Sequence, residues 1–174
     1  MNDVRSERIR AHRPPRALAA LLALALLAAF AAAWSAAAAE TGAEAILGTW
    51  LTEPGEKGGR AYVAIDKEGG SYVGRIVRLE APNFPPGDPE AGQPKTDREN
   101  PDPTLRDRPI RGLKILEGFT YEGGDRWTGG TIYDPSNGKT YKSRMTLEGE
   151  DELDVRGYVG IPLFGRTTTW KRVE

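Results

Sequence analysis

Beyond residue 46 the chain alternates short apolar and β-branched runs with turn residues. Segments rich in Val, Ile, Tyr, Trp and Thr fall at 47–53, 60–66, 72–79, 111–121, 126–133, 140–148, 152–159 and 166–173. Between them stand "DKEGG" (66–70), "EGGD" (122–125) and "EGED" (148–151), short Gly-containing connections of hairpin type. No amphipathic helical period of ordinary length follows residue 40. Eight strands joined by consecutive hairpins predict an all-β domain, an antiparallel up-and-down barrel.

One connection breaks the rhythm. From Glu80 to Pro109 the chain carries seven prolines between Pro82 and Pro103, together with many charges. A connection this long in a compact domain is usually functional or mobile. Its second half carries order signals: Asp102 suits a helix cap, Pro103 the first helical position, and Leu105 an inward contact. The expectation is a mobile Pro-rich front half followed by one docked turn near 103–108.

The N-terminus follows a different pattern. Arg5, Arg8, Arg10, Arg13 and Arg16 form a basic head, an apolar stretch runs over 17–33, and small residues at 36–39 close it. This order reads as a secretory signal peptide over 1–39, with the periplasm the expected destination and no membrane attachment after cleavage. A short linker over 40–46 and a barrel domain over 47–174 would follow. Cleavage removes five of the 24 basic and two of the 25 acidic residues, leaving a formal net charge of −4. A mildly acidic domain has no electrostatic case for nucleic acid.

Composition narrows the chemistry further. The single histidine, His12, lies in the leader, and there is no cysteine. A Ser-His-Asp triad, a Cys nucleophile and a His- or Cys-ligated zinc site are therefore excluded from the mature domain. Carboxylates, Lys, Tyr and oxygen-liganded metals remain. No pattern calls for a cofactor or a metal.

Four stretches invite a functional reading. "DPSNGK" (134–139) resembles a binding loop, yet Asp134 caps a turn, the proline presets φ, and Gly138 permits positive φ. It lacks the further carboxylates of a calcium loop, and turn geometry alone accounts for it. "GTW" (48–50) opens the first strand and "GRTTTWKR" (165–172) supplies the last. Gly48, Trp50 and Trp170 read as structural. If the sheet closes, a late-strand cation, Arg166 or Arg172, can stack over Trp50.

"NPDPTLRDRPIRG" (100–112) is the most polar constellation. Asp97, Asn100 and Asp102 with Arg106 and Arg108 can fix the long loop to the rim; Arg106 can instead clamp a ligand anion. "VRGYVGI" (155–161) puts Arg156 and Tyr158 on one face and Val155, Gly157 and Val159 on the other. An inward Arg156/Tyr158 face would give the lumen a cation and a phenol. Tyr133 and Tyr141, flanking the "DPSNGK" turn, pose the same question of direction.

Together "GTW", "NPDPTLRDRPIRGLKIL", "WTGGTIYDPSNGKTY" and "LDVRGYVGIPLFGRTTTW" resemble a bacterial, signal-peptide-bearing family of unknown function with a lipocalin-like (calycin-like) barrel. The resemblance covers residues 47–172 and implies fold and export; it supplies no reaction, ligand or catalytic residue. The long loop over 80–109 departs from typical ligand-carrying lipocalins.

The expectation is an exported barrel binding a small molecule at its mouth, with Arg106, Tyr133, Tyr141, Arg156 and Tyr158 as candidate contacts. One rival is an envelope interaction module docking a partner protein through the 80–109 loop. The other is a hydrolase or isomerase using Asp97, Asp102 or Tyr141 for proton transfer. A cavity above a few hundred cubic ångströms would favour binding or catalysis.

Overall fold

The computed structural model describes residues 42–55 and 59–173. The leader expected over 1–39 and the start of the expected linker lie outside the described residues. Eight strands are formed: β1 (Gly48–Leu51), β2 (Ala61–Glu68), β3 (Ser71–Leu79), β4 (Lys114–Gly123), β5 (Arg126–Asp134), β6 (Lys139–Glu148), β7 (Glu152–Tyr158) and β8 (Gly165–Arg172). Each pairs antiparallel with the next, and β1 pairs with β8, so the sheet closes into a barrel. The lipocalin-like barrel architecture is thus present.

The alternation of side chains builds the core. Ser143, Met145 and Leu147 on β6 are buried, as are Leu153 and Val155 on β7. This places Val155 and Gly157 on the inner face and Arg156 on the outer one, while Tyr158 ends the strand at the rim. Trp50, Trp127, Phe119 and Leu116 are fully buried. In β5 the register jumps between Trp127 and Gly130. Gly129 takes φ 78°, and a Cβ at Gly130 would stand 2.3 Å from Phe119 Cδ2. The glycine pair therefore makes a bulge that admits the Phe119 ring.

Strand β4 begins three residues later than the pattern predicts. Residues 111–113 turn instead, with Gly112 N–H donating to Ile76 O (2.7 Å) and Leu113 N–H to Ile110 O (3.1 Å).

Successive hairpins put the three short turns at one end of the barrel and the four remaining connections at the other. The short-turn end is closed by residues that were expected to be a linker. A helical turn over 42–44 precedes Ile46, which is fully buried. Trp127 Nε1 donates to Ala43 O (3.3 Å) and Trp50 Nε1 to Ile46 O (2.9 Å). The segment is a floor, because the indole N–H groups of a closed aromatic core need acceptors there.

The long connection is more ordered than its prolines suggest. A 3-10 turn, Pro103–Leu105, is capped by Asp102 Oδ1, which accepts from Thr104 N (2.9 Å) and Oγ1 (2.8 Å). That expectation holds; Leu105, however, is exposed, and Phe84 and Ile110 are the buried apolar side chains. The Pro-rich front half, expected to be mobile, is tied by Arg98. Its guanidinium meets both Asp88 oxygens at 2.8 Å and Glu90 Oε2 at 3.1 Å, and stacks 4.3 Å from the Phe84 centroid. Bridges Asn83↔Pro94 and Thr96↔Pro109 flank this arrangement.

Candidate functional site

The end opposite the floor holds a cavity of about 1270 Å³. Its inner wall is apolar: Ile76, Ile110, Ile115 and Ile132 line it, with Phe84 and Leu79 nearer the rim. These side chains come from β3, β4, β5 and the long connection, whose β-branched residues stand on the inward faces of a strongly curved sheet. The volume exceeds the ~300–1,000 Å³ typical of small-ligand sites.

Two of the three phenols that line it have different duties. Tyr141, on β6, lines the cavity, and its Oη accepts from Asn137 Nδ2 (3.2 Å). Asn137 is itself fixed, donating to Asp134 Oδ2 (2.8 Å) while its Oδ1 accepts from Lys139 N–H (3.0 Å). The Tyr141 O–H has no protein acceptor among the described residues and is available to a ligand.

Tyr133 instead donates to Asp97 Oδ1 (2.7 Å). Asp97 is fully buried, and its Oδ2 accepts from Asn100 Nδ2 (2.7 Å) and from Arg108 Nε (2.8 Å) and Nη2 (2.7 Å). Burial, then the Asp97 carboxylate, push the Tyr133 phenol up to about 12. The cluster seats the long loop on β5. Both carboxylate oxygens are engaged, and Asp97 does not line the cavity. Asp102 caps the 3-10 turn and likewise does not line the cavity; the Thr104 hydroxyl and N–H, then the nearby arginines, hold its carboxyl below the usual range.

The "DPSNGK" turn proves to be a turn with a second duty. Asp134 Oδ1 accepts from Ser136 N–H (2.9 Å), and Asp134 O from Gly138 N–H (2.9 Å). At Gly138, φ is 70°, and a Cβ would stand 1.9 Å from Glu99 O. The long loop therefore presses directly on this turn, and residues 134–137 form part of the rim. Turn geometry alone does not account for these residues.

The remaining candidates divide. Tyr158 and Arg166 line the rim. Arg166 does not cover Trp50: the β1–β8 register sets Trp50 opposite Arg172, whose guanidinium lies 4.2 Å from the indole centroid. Arg156 turns outward and donates to Pro162 O (2.7 Å), Leu163 O (3.3 Å) and Thr167 Oγ1 (2.8 Å), bracing the connection after β7. Arg106 donates to Asn100 O (2.8 Å) and lies outside the cavity, the geometry of a loop staple. Arg106 and Arg156 are thus corrected from candidate ligand contacts to positioning residues. Their partners are backbone carbonyls of the loops they hold and, for Arg156, the Thr167 hydroxyl on β8 as well.

Sequence reasoning missed Lys95, Arg60 and Phe84, which all line the cavity. It also missed the exposure of Val159, Ile161, Leu163 and Phe164, which are 54% to 75% exposed beside the mouth. Among the described residues no three His, Cys, Asp or Glu side chains converge as metal ligands would.

A family model described as "Uncharacterized protein conserved in bacteria (DUF2147)" matches residues 48–172. Among solved structures, the barrel is similar to that of protein HP1028 from Helicobacter pylori, described as belonging to the lipocalin family. The TM-score is 0.63 at 24% identity, over 74% of this chain and 83% of that one. At that identity the likeness shows the fold alone. No curated protein matches the chain.

Proposed function

The chain belongs to this family of uncharacterised bacterial proteins, DUF2147, and from its barrel geometry we propose that it is an exported binding protein for a small molecule held in the open end. The single observation behind this reading is the apolar-walled cavity of about 1270 Å³ with a Tyr141 O–H that has no acceptor among the described residues. Apolar walls supply affinity by removing ligand surface from water, and one unsatisfied donor fixes orientation.

Binding is preferred to catalysis because the carboxylates that might move protons are consumed: Asp97 in the loop seat, Asp102 in a cap, Asp134 within its own turn. An interaction module working through the 80–109 loop is disfavoured because Phe84 of that loop, and Ile110 just after it, turn inward. Export rests on the basic head, Ala/Leu run and small-residue close over 1–39.

Native mass spectrometry of protein purified from the envelope of its own host tests the reading. The expected result is a mature chain beginning near Glu40 that carries a co-purified small molecule, released when Ile132→Trp narrows the cavity. A chain that is ligand-free in the wild type, and that takes up no apolar probe when challenged, would overturn it.

A further inference from the structure

Two cations on the cavity rim have no partner among the described residues. Lys95 and Arg60 both line the cavity, one from the long connection and one from just before β2. A Cβ at Gly59 would lie 3.8 Å from Lys95 Nζ, so the ammonium sits beside the backbone leading into Arg60. Neither side chain has a hydrogen bond or ion pair to a described residue, whereas Arg98 is held by Asp88 and Glu90.

The backbone of Lys95 is not free to withdraw. Its N–H donates to Pro82 O (2.9 Å), its carbonyl accepts from Ile110 N–H (3.1 Å), and β-bridges stand on both sides. The side chain is half-buried. Its stem is covered while Arg60 is exposed, an arrangement that presents two cations at the edge of an apolar cavity.

The acids nearby do not serve. Glu53, Asp88, Glu99 and Asp134 are the carboxylates lining the cavity, and each already holds a partner. Glu53 Oε1 accepts from Thr169 N–H (2.9 Å), Asp88 is engaged by Arg98, and Asp134 closes its own turn. Lys95 and Arg60 are thus the lining cations whose charge-assisted bonds are not taken up by these acids among the described residues. The hydrogen bond between Lys95 and Ile110 joins that rim directly to the apolar wall.

We propose that Lys95 and Arg60 form an anionic headgroup subsite, and that the ligand is an amphiphile with a carboxylate or phosphate head at this rim and an apolar chain against Ile76, Ile110 and Ile132. This rests on the binding reading above and names its ligand class. Arg60 offers a planar fork to two oxygens, and Lys95 a point charge; both bonds are charge-assisted.

The test uses the full chain and N-phenyl-1-naphthylamine, an apolar fluorophore uncharged at neutral pH. Dodecanoate, dodecyl phosphate and 1-dodecanol compete for it, with inorganic phosphate as the tail-free anion. Dodecanoate and dodecyl phosphate should displace the probe at roughly tenfold lower concentration than dodecanol, since only they gain charge-assisted bonds. Inorganic phosphate should displace nothing.

Lys95→Gln and Arg60→Gln should each reduce that preference, and together abolish it, with probe affinity and melting unchanged. Lys95→Arg should retain it, and Arg126→Gln at the closed end should leave it intact. Equal displacement by dodecanol, or a preference that survives the double substitution, would overturn the headgroup subsite while leaving the cavity reading standing. Displacement of dodecanoate by inorganic phosphate alone would assign the cations to a free anion and overturn the amphiphile. Absence of probe binding would overturn the cavity reading and this inference with it.

Discussion

The guanidinium of Arg172 lies over the indole of Trp50 and donates to three carbonyls at the floor of the barrel: Leu47 O (2.8 Å), Ala45 O (2.6 Å) and Glu150 O (2.8 Å). First strand, last strand and floor thus meet at one cation. The arrangement suits arginine alone, since only a planar fork can stack on a ring and reach several acceptors in its own plane.

Trp50→Ala is expected to cost about 3–5 kcal/mol, the range for deleting a large buried aromatic. Arg172→Lys should cost less, about 1–3 kcal/mol, because lysine keeps the charge and loses most of the carbonyl bonds. Denaturant melts of the two variants check both. A Trp50→Ala change under about 1 kcal/mol would mean that the closure does not depend on the indole.

The strands, the hairpins and the Asp102-capped turn were legible in the sequence because each is a local matter: two-residue alternation, Gly at tight turns, Asp-Pro at a helical start. Trp50 as a core anchor was legible too. The cation above it was not, since Arg166 and Arg172 share a face of β8, and only the closing register distinguishes them. The inward face of β7 was equally hidden. Val155/Gly157 and Arg156/Tyr158 are both plausible lumen pairs until Arg156 is seen holding Pro162 and Leu163 outside. Lys95 and Arg60 carry no local signal, because a loop folding back on the entrance to β2 is what brings them to one rim. Residues 42–46, within the expected linker, carry no legible signal because so short a segment has no period; their burial comes from the aromatic core they cover.

Tyr133 gives a pH-dependent prediction. Its phenol is raised from 10.0 to about 12 in the folded chain, chiefly by burial and then by Asp97. A raised folded value means that the folded state holds the proton more tightly than the unfolded chain. The contribution is therefore intact below pH ~10 and falls away as pH rises toward ~12. Tyr133→Phe should cost about 1 kcal/mol at neutral pH through the lost bond to Asp97. The gap between wild type and variant should shrink above pH ~10; urea melts at neutral and alkaline pH measure it. A gap constant up to pH ~12 would mean that the phenol does not donate to Asp97 in solution.

Gly138 joins the "DPSNGK" turn to the long loop. Gly138→Ala meets both a left-handed φ, costing an L-residue roughly 1–2 kcal/mol, and the Glu99 carbonyl in the space a Cβ would occupy. The loop should lift from the turn, seen as faster amide exchange at Asp97 and Asn100, whose N–H groups now bond within the loop. Shortening the turn to a two-residue Asn-Gly hairpin should do the same while the barrel stays folded. Unchanged exchange in either variant would show that the loop is held by the Asp97 cluster alone.

Tyr141 tests the cavity from its polar side. Asn137 already donates to its oxygen, so the phenol enters any complex as a donor, and Asn137 remains bound to Asp134 when the hydroxyl is removed. Tyr141→Phe should therefore shift stability by no more than about 0.5–1 kcal/mol. Its effect on ligands should depend on their chemistry. An apolar fluorophore with no acceptor should bind as before, since the ring and the isoleucine wall persist. A ligand with an acceptor near the wall should lose roughly tenfold in affinity, the worth of one net hydrogen bond in a water-poor site. Parallel titrations of the variant with the fluorophore and with a long-chain aliphatic ketone, whose carbonyl lies within the apolar chain, separate the two. Equal losses for both would make Tyr141 part of the apolar wall, with its hydroxyl serving only the turn above it.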